Sequence, residues 1–271
     1  MSFQADQKGI SLVYRWHYGE TRLVLNHSHS YIQQIQFIFT GTNIITNMYT
    51  FEVLNAIIAK KGYKKYLEIG IDDPEECFNK VKIENKTGVD PYLDEDKFKG
   101  VHTWKQNPDS DYDSEKLIPK IQGKFHRLTS DEYFKKHLRN TFDIIFIDGL
   151  HTEEQSGRDI ENSLKRLMPG GLVVVHDTIP KNLHEAVPYP VPEQPWCGEV
   201  YRSIWKLRTD REDLDIFTWA FNTGTTFIRP GVNVKYYDRN FPNLQMSFQY
   251  LEMYKDELLN VKSWQWIINH I

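Results

Sequence analysis

Cysteine is scarce in this chain: Cys77 and Cys197 are the only two among 271 residues. Two thiols do not make a disulfide framework, and a reducing, cytosolic setting is the simpler expectation. Positive charge is not in excess either. The 33 Lys and Arg stand against 37 Asp and Glu, a formal net charge of −4, so no global basic field favours nucleic acid. The opening MSFQADQKGI has neither the charged nor the apolar region of a secretory leader. No apolar run approaches the ~20 residues that a membrane-spanning helix needs. Internal repeats and low-complexity tracts are missing as well.

What is present suits one large domain with appendages. The hydrophobic fraction is 40% and the aromatic fraction 14%, enough for a substantial core. Residues 1–45 are polar and aromatic without clear periodicity and read as an N-terminal appendage, with Arg15–Gly19 a short hairpin or an ordered loop. A principal domain is expected over 46–232, and a C-terminal helical extension packed on it over 233–271. Met48, Phe51, Leu54, Ile57 and Ile58 fall near helical spacing, and Lys60-Lys61-Gly62 supplies a stop.

From Tyr66 the rhythm is strand, helix, strand. Lys65–Gly70 reads as a strand, Pro74–Val81 as a short helix opened by proline, and Lys86–Asp90 as a second strand. Residues 91–120 read as a charged excursion outside the sheet. Lys124–Leu128 is a third strand, and Ser130-Asp131-Glu132 caps the helix after it. Phe142–Asp148 is the strongest strand signal, a nearly continuous apolar run suited to a parallel strand covered on both faces. Thr152 caps the next helix, whose stripe is Ile160, Leu164 and Leu167, and Pro169-Gly170-Gly171 ends it. Leu172–His176 is a further buried strand. The five-proline stretch 180–197 reads as a lid or substrate wall. Val200–Leu207 reads as helix, Leu214–Trp219 and Thr225–Arg229 as late strands, and Gln245–Leu259 and Trp264–Ile268 as terminal helices. Phe248, Leu251, Tyr254 and Leu258 form a packing face, with a homodimer contact as the other use. The alternation predicts an α/β fold with a mostly parallel, Rossmann-like sheet and helices on both faces.

In such sheets ligands bind beyond the carboxyl ends of the strands, and Glu68, Asp90, Asp148, His176 and Asp177 all fall at such ends. Asp90 follows Glu68 by 22 positions, a spacing that suits a βαβ unit whose second acid meets a ribose diol. A carboxylate accepts two hydrogen bonds from such a diol. The first loop, Gly70-Ile71-Asp72-Asp73-Pro74, lacks G-x-G-x-x-G and so gives a pyrophosphate no glycine-rich cradle.

The order LEIG, GVDP, HRLTSDEYF, FDIIFIDGLHTEEQ, DIENSLKRLMPGGLVVVHDTIP and CGEVYRSIWKLR resembles class I S-adenosylmethionine-dependent methyltransferases. The resemblance covers roughly residues 48–260 and is greatest to the small-molecule and sugar O-methyltransferase branch linked to surface-polysaccharide biosynthesis. It implies a seven-stranded sheet with one antiparallel strand near the edge, S-adenosylmethionine as cofactor, and a sugar or glycan-precursor hydroxyl as acceptor. It places Glu68 and Gly70 in the first cofactor loop, Asp90 at the ribose, Thr129, Ser130 and Asp131 beside adenine, and Asp148 with Gly149 next to the reacting methyl. Related metal-dependent enzymes hold magnesium at the positions of Asp148, His176 and Asp177. The imidazole of His176 departs from that pattern and leaves manganese, zinc or no metal open, because magnesium prefers oxygen.

Methyl transfer needs alignment of acceptor oxygen, methyl carbon and sulfur, and a base for the acceptor proton. His151 is the first candidate base, with Asp148 and Asp177 beside the acceptor; the plain alternative is a histidine bonded to a loop backbone. Trp196, Cys197, Glu199, Tyr201 and Arg202 suit sugar stacking and hydroxyl recognition, or ordinary packing. Two rival readings are a nicotinamide-dependent oxidoreductase and a non-catalytic module retaining a degenerate cofactor fold.

Overall fold

The structure, a computed structural model, describes the backbone of four short strands before residue 46 and residues 48–91, 123–190, 195–234 and 246–271 in full. The expected excursion at 91–120 lies outside the described residues from 92 onward. Two compact units divide the chain, Met1–Thr50 and Phe51–Ile271. The first contains two antiparallel pairs: β1 (Ser11–His17) with β2 (Glu20–Asn26), and β3 (Ile38–Thr40) with β4 (Asn43–Ile45). Of the stretch 15–19, expected as a short hairpin or an ordered loop, residues 15–17 lie in β1, with His17 opposite Glu20, and 18 and 19 lie outside the described residues.

The second unit is built on a seven-stranded sheet. Its strands are β5 (Lys65–Ile69), β6 (Asn85–Val89), β7 (Lys124–His126), β8 (Phe142–Ile147), β9 (Leu167–His176), β10 (Leu214–Trp219) and β11 (Thr225–Pro230). Their order across the sheet is β10-β11-β9-β8-β5-β6-β7. All pairs from β9 to β7 are parallel, and β11 runs antiparallel to both neighbours. This is the Rossmann-like α/β arrangement expected, with the single antiparallel strand next to the edge.

Strand alternation explains why the central strands carry almost no polar residue. Leu67, Ile69, Ile145, Ile147, Val173 and Val175 join one core cluster with Ile160, Val200, Ile204 and Leu251 from helices. The alternate residues Tyr66, Ile144, Phe146 and Val174 are buried as well, so both faces are covered. The helices are α1 (Thr50–Lys61), α2 (Ser130–Lys136), α3 (Glu153–Leu164), α4 (Val200–Asp210), α5 (Phe248–Leu258) and α6 (Trp264–His270). Helix α1 buries Val53, Leu54, Ile57 and Ile58 and stops at Gly62, whose φ of 67° and N–H to the Ile58 carbonyl make a left-handed cap.

Four local expectations need correction. Pro74–Val81 is not an α-helix but turns closing in a 3₁₀ segment over Phe78–Lys80; Asp73 holds the Glu75 N–H and competes with helical bonding. The cap before α2 is Thr129 rather than Ser130, in a reciprocal capping box with Glu132. Helix α3, capped by Thr152 as expected, ends at Leu164. Leu167 opposes Phe142 in β9, and Pro169-Gly170-Gly171 lie within that strand at a register shift instead of closing the helix. Gly170 at φ 78° permits the irregularity. In α5, Tyr254 has non-helical dihedrals and is exposed, so it leaves the packing face that Phe248, Leu251 and Leu258 keep. The segment 246–271 is tied to the sheet by a bridge from Val261 to Thr218 and by the Lys262 N–H to the Thr218 carbonyl.

Candidate functional site

Where the parallel strands end, the chain surrounds a cavity of about 390 Å³, within the range of small-molecule sites. Gly70, Ile71 and Asp72 come from the loop after β5, Asp90 from the end of β6, and Thr129 and Ser130 from the start of α2. Asp148, Gly149 and Leu150 follow β8. Gly70 is required by the crossing of two backbones. Its φ is 85°, and a Cβ there would lie 2.0 Å from the Asp148 carbonyl oxygen. Asp90 sits at the wall with one carboxylate oxygen accepting the Ile71 N–H at 2.9 Å, so the ribose-type acid also pins the loop.

Beyond Asp148 lies a cluster of two carboxylates and two imidazoles. Asp148 Oδ1 is 3.3 Å from His151 Nε2, and Asp148 Oδ2 is 3.4 Å from His176 Nδ1. Asp177 Oδ2 is 3.6 Å from His151 Nε2, and its Oδ1 is 3.3 Å from His176 Nδ1. His151 Nδ1 lies 2.7 Å from the Trp196 carbonyl. That oxygen only accepts, so Nδ1 carries a hydrogen and Nε2 is left facing two carboxylates. A lone pair there would be repelled by both oxygens; the arrangement is stable with a proton or another cation on Nε2.

The electrostatics agree. Burial works to raise the Asp148 carboxyl, yet the neighbouring His176 and His151 rings hold it well below the usual carboxylate range. Burial works to lower both histidines, and the two carboxylates prevail, raising His151 and lifting His176 well above its ordinary value.

The loop before α4 holds His151 in place. The Glu199 N–H donates to the His151 carbonyl at 2.7 Å, and a Cβ on Gly198 would lie 2.1 Å from that same oxygen. The Trp196 ring packs on the His151 ring with centroids 5.0 Å apart. Asp177 has φ 56°, a left-handed backbone that turns its carboxylate into the cluster. Donor atoms of Asp148, His151 and Asp177 all lie within 4.8 Å of one another and form a possible cation site. The metal set expected from sequence shares Asp148 and Asp177 with this trio; His151 stands where His176 was expected, and His176 instead directs Nδ1 at both carboxylates.

Glu68 is placed differently from the other strand-end acids. It does not line the cavity. Its side chain is buried, receives the Tyr66 hydroxyl and neighbours Cys77 and Lys86. Strand pleating accounts for this, since Glu68 shares the face of Tyr66 while the next residues lead into the loop. Of the residues proposed after the proline-rich stretch, Trp196 lines the cavity, whereas Tyr201 and Cys197 are buried in packing. Burial raises the Cys197 thiol far above its ordinary value, which suits an inert side chain. Among the lining residues that sequence reasoning missed are the polar pair Gln155 and Asp159 on α3. The sequence carries no signal for them, because the helix neighbours of Asp159 (Gln155, Ser156, Asn162 and Ser163) are polar too.

Residues 80–178, less than half of the chain, match the family model described as Methyltransferase domain. No curated protein matches. Among solved structures, the chain is similar to the SAH-bound methyltransferase PaMTH1 of Podospora anserina at 15% identity, covering 67% of this chain and 77% of that one, with a TM-score of 0.45. It is similar to the O-methyltransferase of Bacillus cereus in complex with SAH at 12% identity, over 68% and 83% of the two chains, with a TM-score of 0.43. A third is the O-methyltransferase TomG of Streptomyces achromogenes in complex with SAM, at 17% identity over 66% and 78%, with a TM-score of 0.41. Scores of this size carry no ligand or substrate from those proteins to this one.

Proposed function

We propose that this protein is an S-adenosylmethionine-dependent O-methyltransferase whose acceptor is a hydroxyl of a sugar or glycan precursor. The observation that carries the reading is the convergence of Asp148, His151 and Asp177 beside a cavity bounded by Gly70 and Asp90. When bound, S-adenosylmethionine supplies an electrophilic methyl on a sulfonium. Asp90 accepts hydrogen bonds from the ribose hydroxyls, and Gly70 lets the first loop pass against the Asp148 backbone at the cavity wall. Asp72, which also lines the cavity, attracts the ammonium of the methionine portion. The same carboxylate would repel a pyrophosphate, which disfavours the nicotinamide alternative.

Asp148 and Asp177 orient the acceptor hydroxyl, and His151 Nε2 accepts its proton once the nitrogen has released the one it carries. A divalent cation, where one is used, would be held by Asp148, His151 and Asp177 and would lower the pKa of the acceptor hydroxyl; His151 Nε2 would then be a ligand and not the base. Two oxygens and one nitrogen fit manganese or zinc better than magnesium. Trp196, packed against His151, offers an aromatic face of the kind that stacks on a sugar ring, and the sequence resemblance points to the same acceptor class. Two free thiols accord with a cytosolic setting; no helix among the described residues is long and apolar enough to cross a membrane.

Calorimetric titration with S-adenosylhomocysteine beside NAD tests the cofactor. Binding of the first alone is expected; binding of neither would leave a degenerate module. Labelled methyl transfer to a panel of sugar nucleotides and glycans, with and without a chelator, then tests acceptor class and metal together. Transfer only to non-sugar hydroxyls would refute the acceptor, and full activity after thorough chelation would remove the metal.

A further inference from the structure

The end of the sheet away from the cavity carries charge of the other sign. Strands β5 to β8 run parallel and start there together, and α1 and α2 end there, because each leads into one of them. Helix α1 closes on Lys60 and Lys61, and Lys64 and Lys65 lead into β5. Strand β7 opens on Lys124. Helix α2 closes on Lys135 and Lys136, with Arg139 just beyond. All of these residues are exposed, and among the described residues none of them is in an ion pair. The acids beside them are Glu84 and Asp143, and Asp143 Oδ2 accepts the Lys64 and Lys65 N–H groups at 2.8 and 2.9 Å. Asp213 and Asp215, at the same end, lie at the β10 edge and pair with Arg211 and Arg229. A chain of formal net charge −4 thus gathers exposed cations at one end, while Asp72, Asp90, Asp148 and Asp159 line the cavity at the other. Within the basic strip stands Leu138, 63% exposed on the turn after α2, between Lys136 and Arg139. A lone exposed leucine is ordinary; one ringed by unpaired cations pairs an apolar tip with a charged rim.

We propose that this end of the sheet docks on an anionic membrane surface, with the lysines over the lipid headgroups and Leu138 entering the headgroup layer. The charge is carried mainly by lysine, a hydrated point charge suited to a diffuse field of headgroups; planar, paired recognition of single phosphates favours arginine. Such attraction acts within about 8 Å at physiological salt, so it needs cations that are exposed and not already paired. The tyrosine beside the strip, Tyr63, is half-buried and its hydroxyl donates to the Gly170 carbonyl at 2.7 Å, which suits it poorly to stacking on a nucleic-acid base. Docked in this way, the cavity faces away from the lipid and stays open to an acceptor in solution. The inference does not depend on the cofactor reading above.

The test is flotation of the full chain with vesicles of phosphatidylcholine alone and of phosphatidylcholine mixed with phosphatidylglycerol, at low and high salt. Binding is expected to the mixed vesicles only and is expected to be lost at high salt, because each cation near the surface contributes about fivefold in affinity and salt screens it. The variant Lys60→Gln/Lys61→Gln/Lys135→Gln/Lys136→Gln is expected to bind the mixed vesicles about 100-fold more weakly, with an unchanged circular dichroism spectrum. Leu138→Ser is expected to weaken binding several-fold, and Lys181→Gln, at the cavity end, to bind as wild type does. Failure of the wild type to float with mixed vesicles at low salt would overturn the inference with no variant needed. Flotation that the fourfold variant retains, or that Lys181→Gln loses equally, would overturn the assignment to this end. Fluorescence anisotropy with a duplex oligonucleotide is expected to show no binding at physiological salt. Tight binding there that mixed vesicles do not displace would make the strip a nucleic-acid surface and overturn the membrane proposal.

Discussion

Replacing Glu68 by Gln should make the protein more stable relative to wild type as pH rises from 5 to 8. Glu68 is 2% exposed, on the face of β5 that also carries Tyr66. Burial is the largest influence on its carboxyl and the Asp148 charge adds to it. The Tyr66 hydroxyl, Lys86 and Cys77 oppose them, and the net result is a group pushed up to about 8 from 4.5. Below pH 4.5 both folded and unfolded chains are protonated and the contribution to stability is fully present. Between 4.5 and 8 the unfolded chain releases a proton that the folded chain keeps, so the contribution is progressively lost, and above 8 the loss levels off. At about 1.4 kcal/mol per unit the full loss approaches ~5 kcal/mol, of which roughly 2–3 kcal/mol falls between pH 5 and 7. Gln cannot ionise and still accepts from Tyr66, so the mutant-minus-wild-type difference isolates this proton. Urea unfolding of both proteins at a series of pH values reads it as the difference in ΔG, with m values checked for constancy. A difference that stays flat across pH 5–8 would refute the reasoning and mean that Glu68 is ionised in the folded protein, compensated by Lys86.

Asp90→Ala should weaken S-adenosylhomocysteine binding by more than about tenfold with the circular dichroism spectrum unchanged, since charged hydrogen bonds are worth roughly 1.5–3 kcal/mol each; equal affinity in calorimetry would remove Asp90 from the ribose site. His151→Ala should lower methyl-transfer turnover by about 10²–10⁴-fold while cofactor affinity stays within a few-fold, and wild-type turnover would leave His151 as an anchor for the 196–199 loop. Gly70→Ala should cost several kcal/mol of unfolding free energy, because its Cβ meets the Asp148 carbonyl at 2.0 Å and its φ is 85°; a melting temperature matching wild type would contradict the close approach.

The parts of the fold written in long apolar runs were legible. Phe142–Ile147 contains only one polar residue in six, which suits a central parallel strand covered on both faces. The alternation of strands and helices also placed Glu68, Asp90, Asp148 and Asp177 at strand ends, and of these Asp90 and Asp148 line the cavity. Legibility failed where one residue serves two geometries. Pro169-Gly170-Gly171 carries the signature of a helix stop, yet glycine also permits a strand irregularity, and the pairing of Leu167 with Phe142 decides between them. Glu68 reads as a cofactor acid from spacing alone; only the pleat shows that it shares a face with Tyr66. Asp159 was invisible because an acid on a helix reads as solvated until the helix is known to turn that side toward a cavity.

The two halves of the site are mechanically one. β5 lies between β6 and β8, and its end is tied to both: the Gly70 N–H donates to the Val89 carbonyl at 3.0 Å, and the Asp148 N–H to the Ile69 carbonyl at 2.8 Å. Asp90 returns a side-chain bond to Ile71 at 2.9 Å. The residue proposed to hold the ribose and the residue beside the acceptor therefore hang from the same short stretch, 69–71, and cannot shift independently by much. In-line transfer demands such fixed spacing, because small misplacements of reacting atoms cost large factors in rate. His151 is clasped by the 196–199 loop, which follows the proline-rich connection from β9 to α4, and that connection also ties Trp196 to the Val187 carbonyl. On the proposed reading, cofactor geometry would be set by the sheet, and acceptor choice by a loop that sequence change can reshape without disturbing the core.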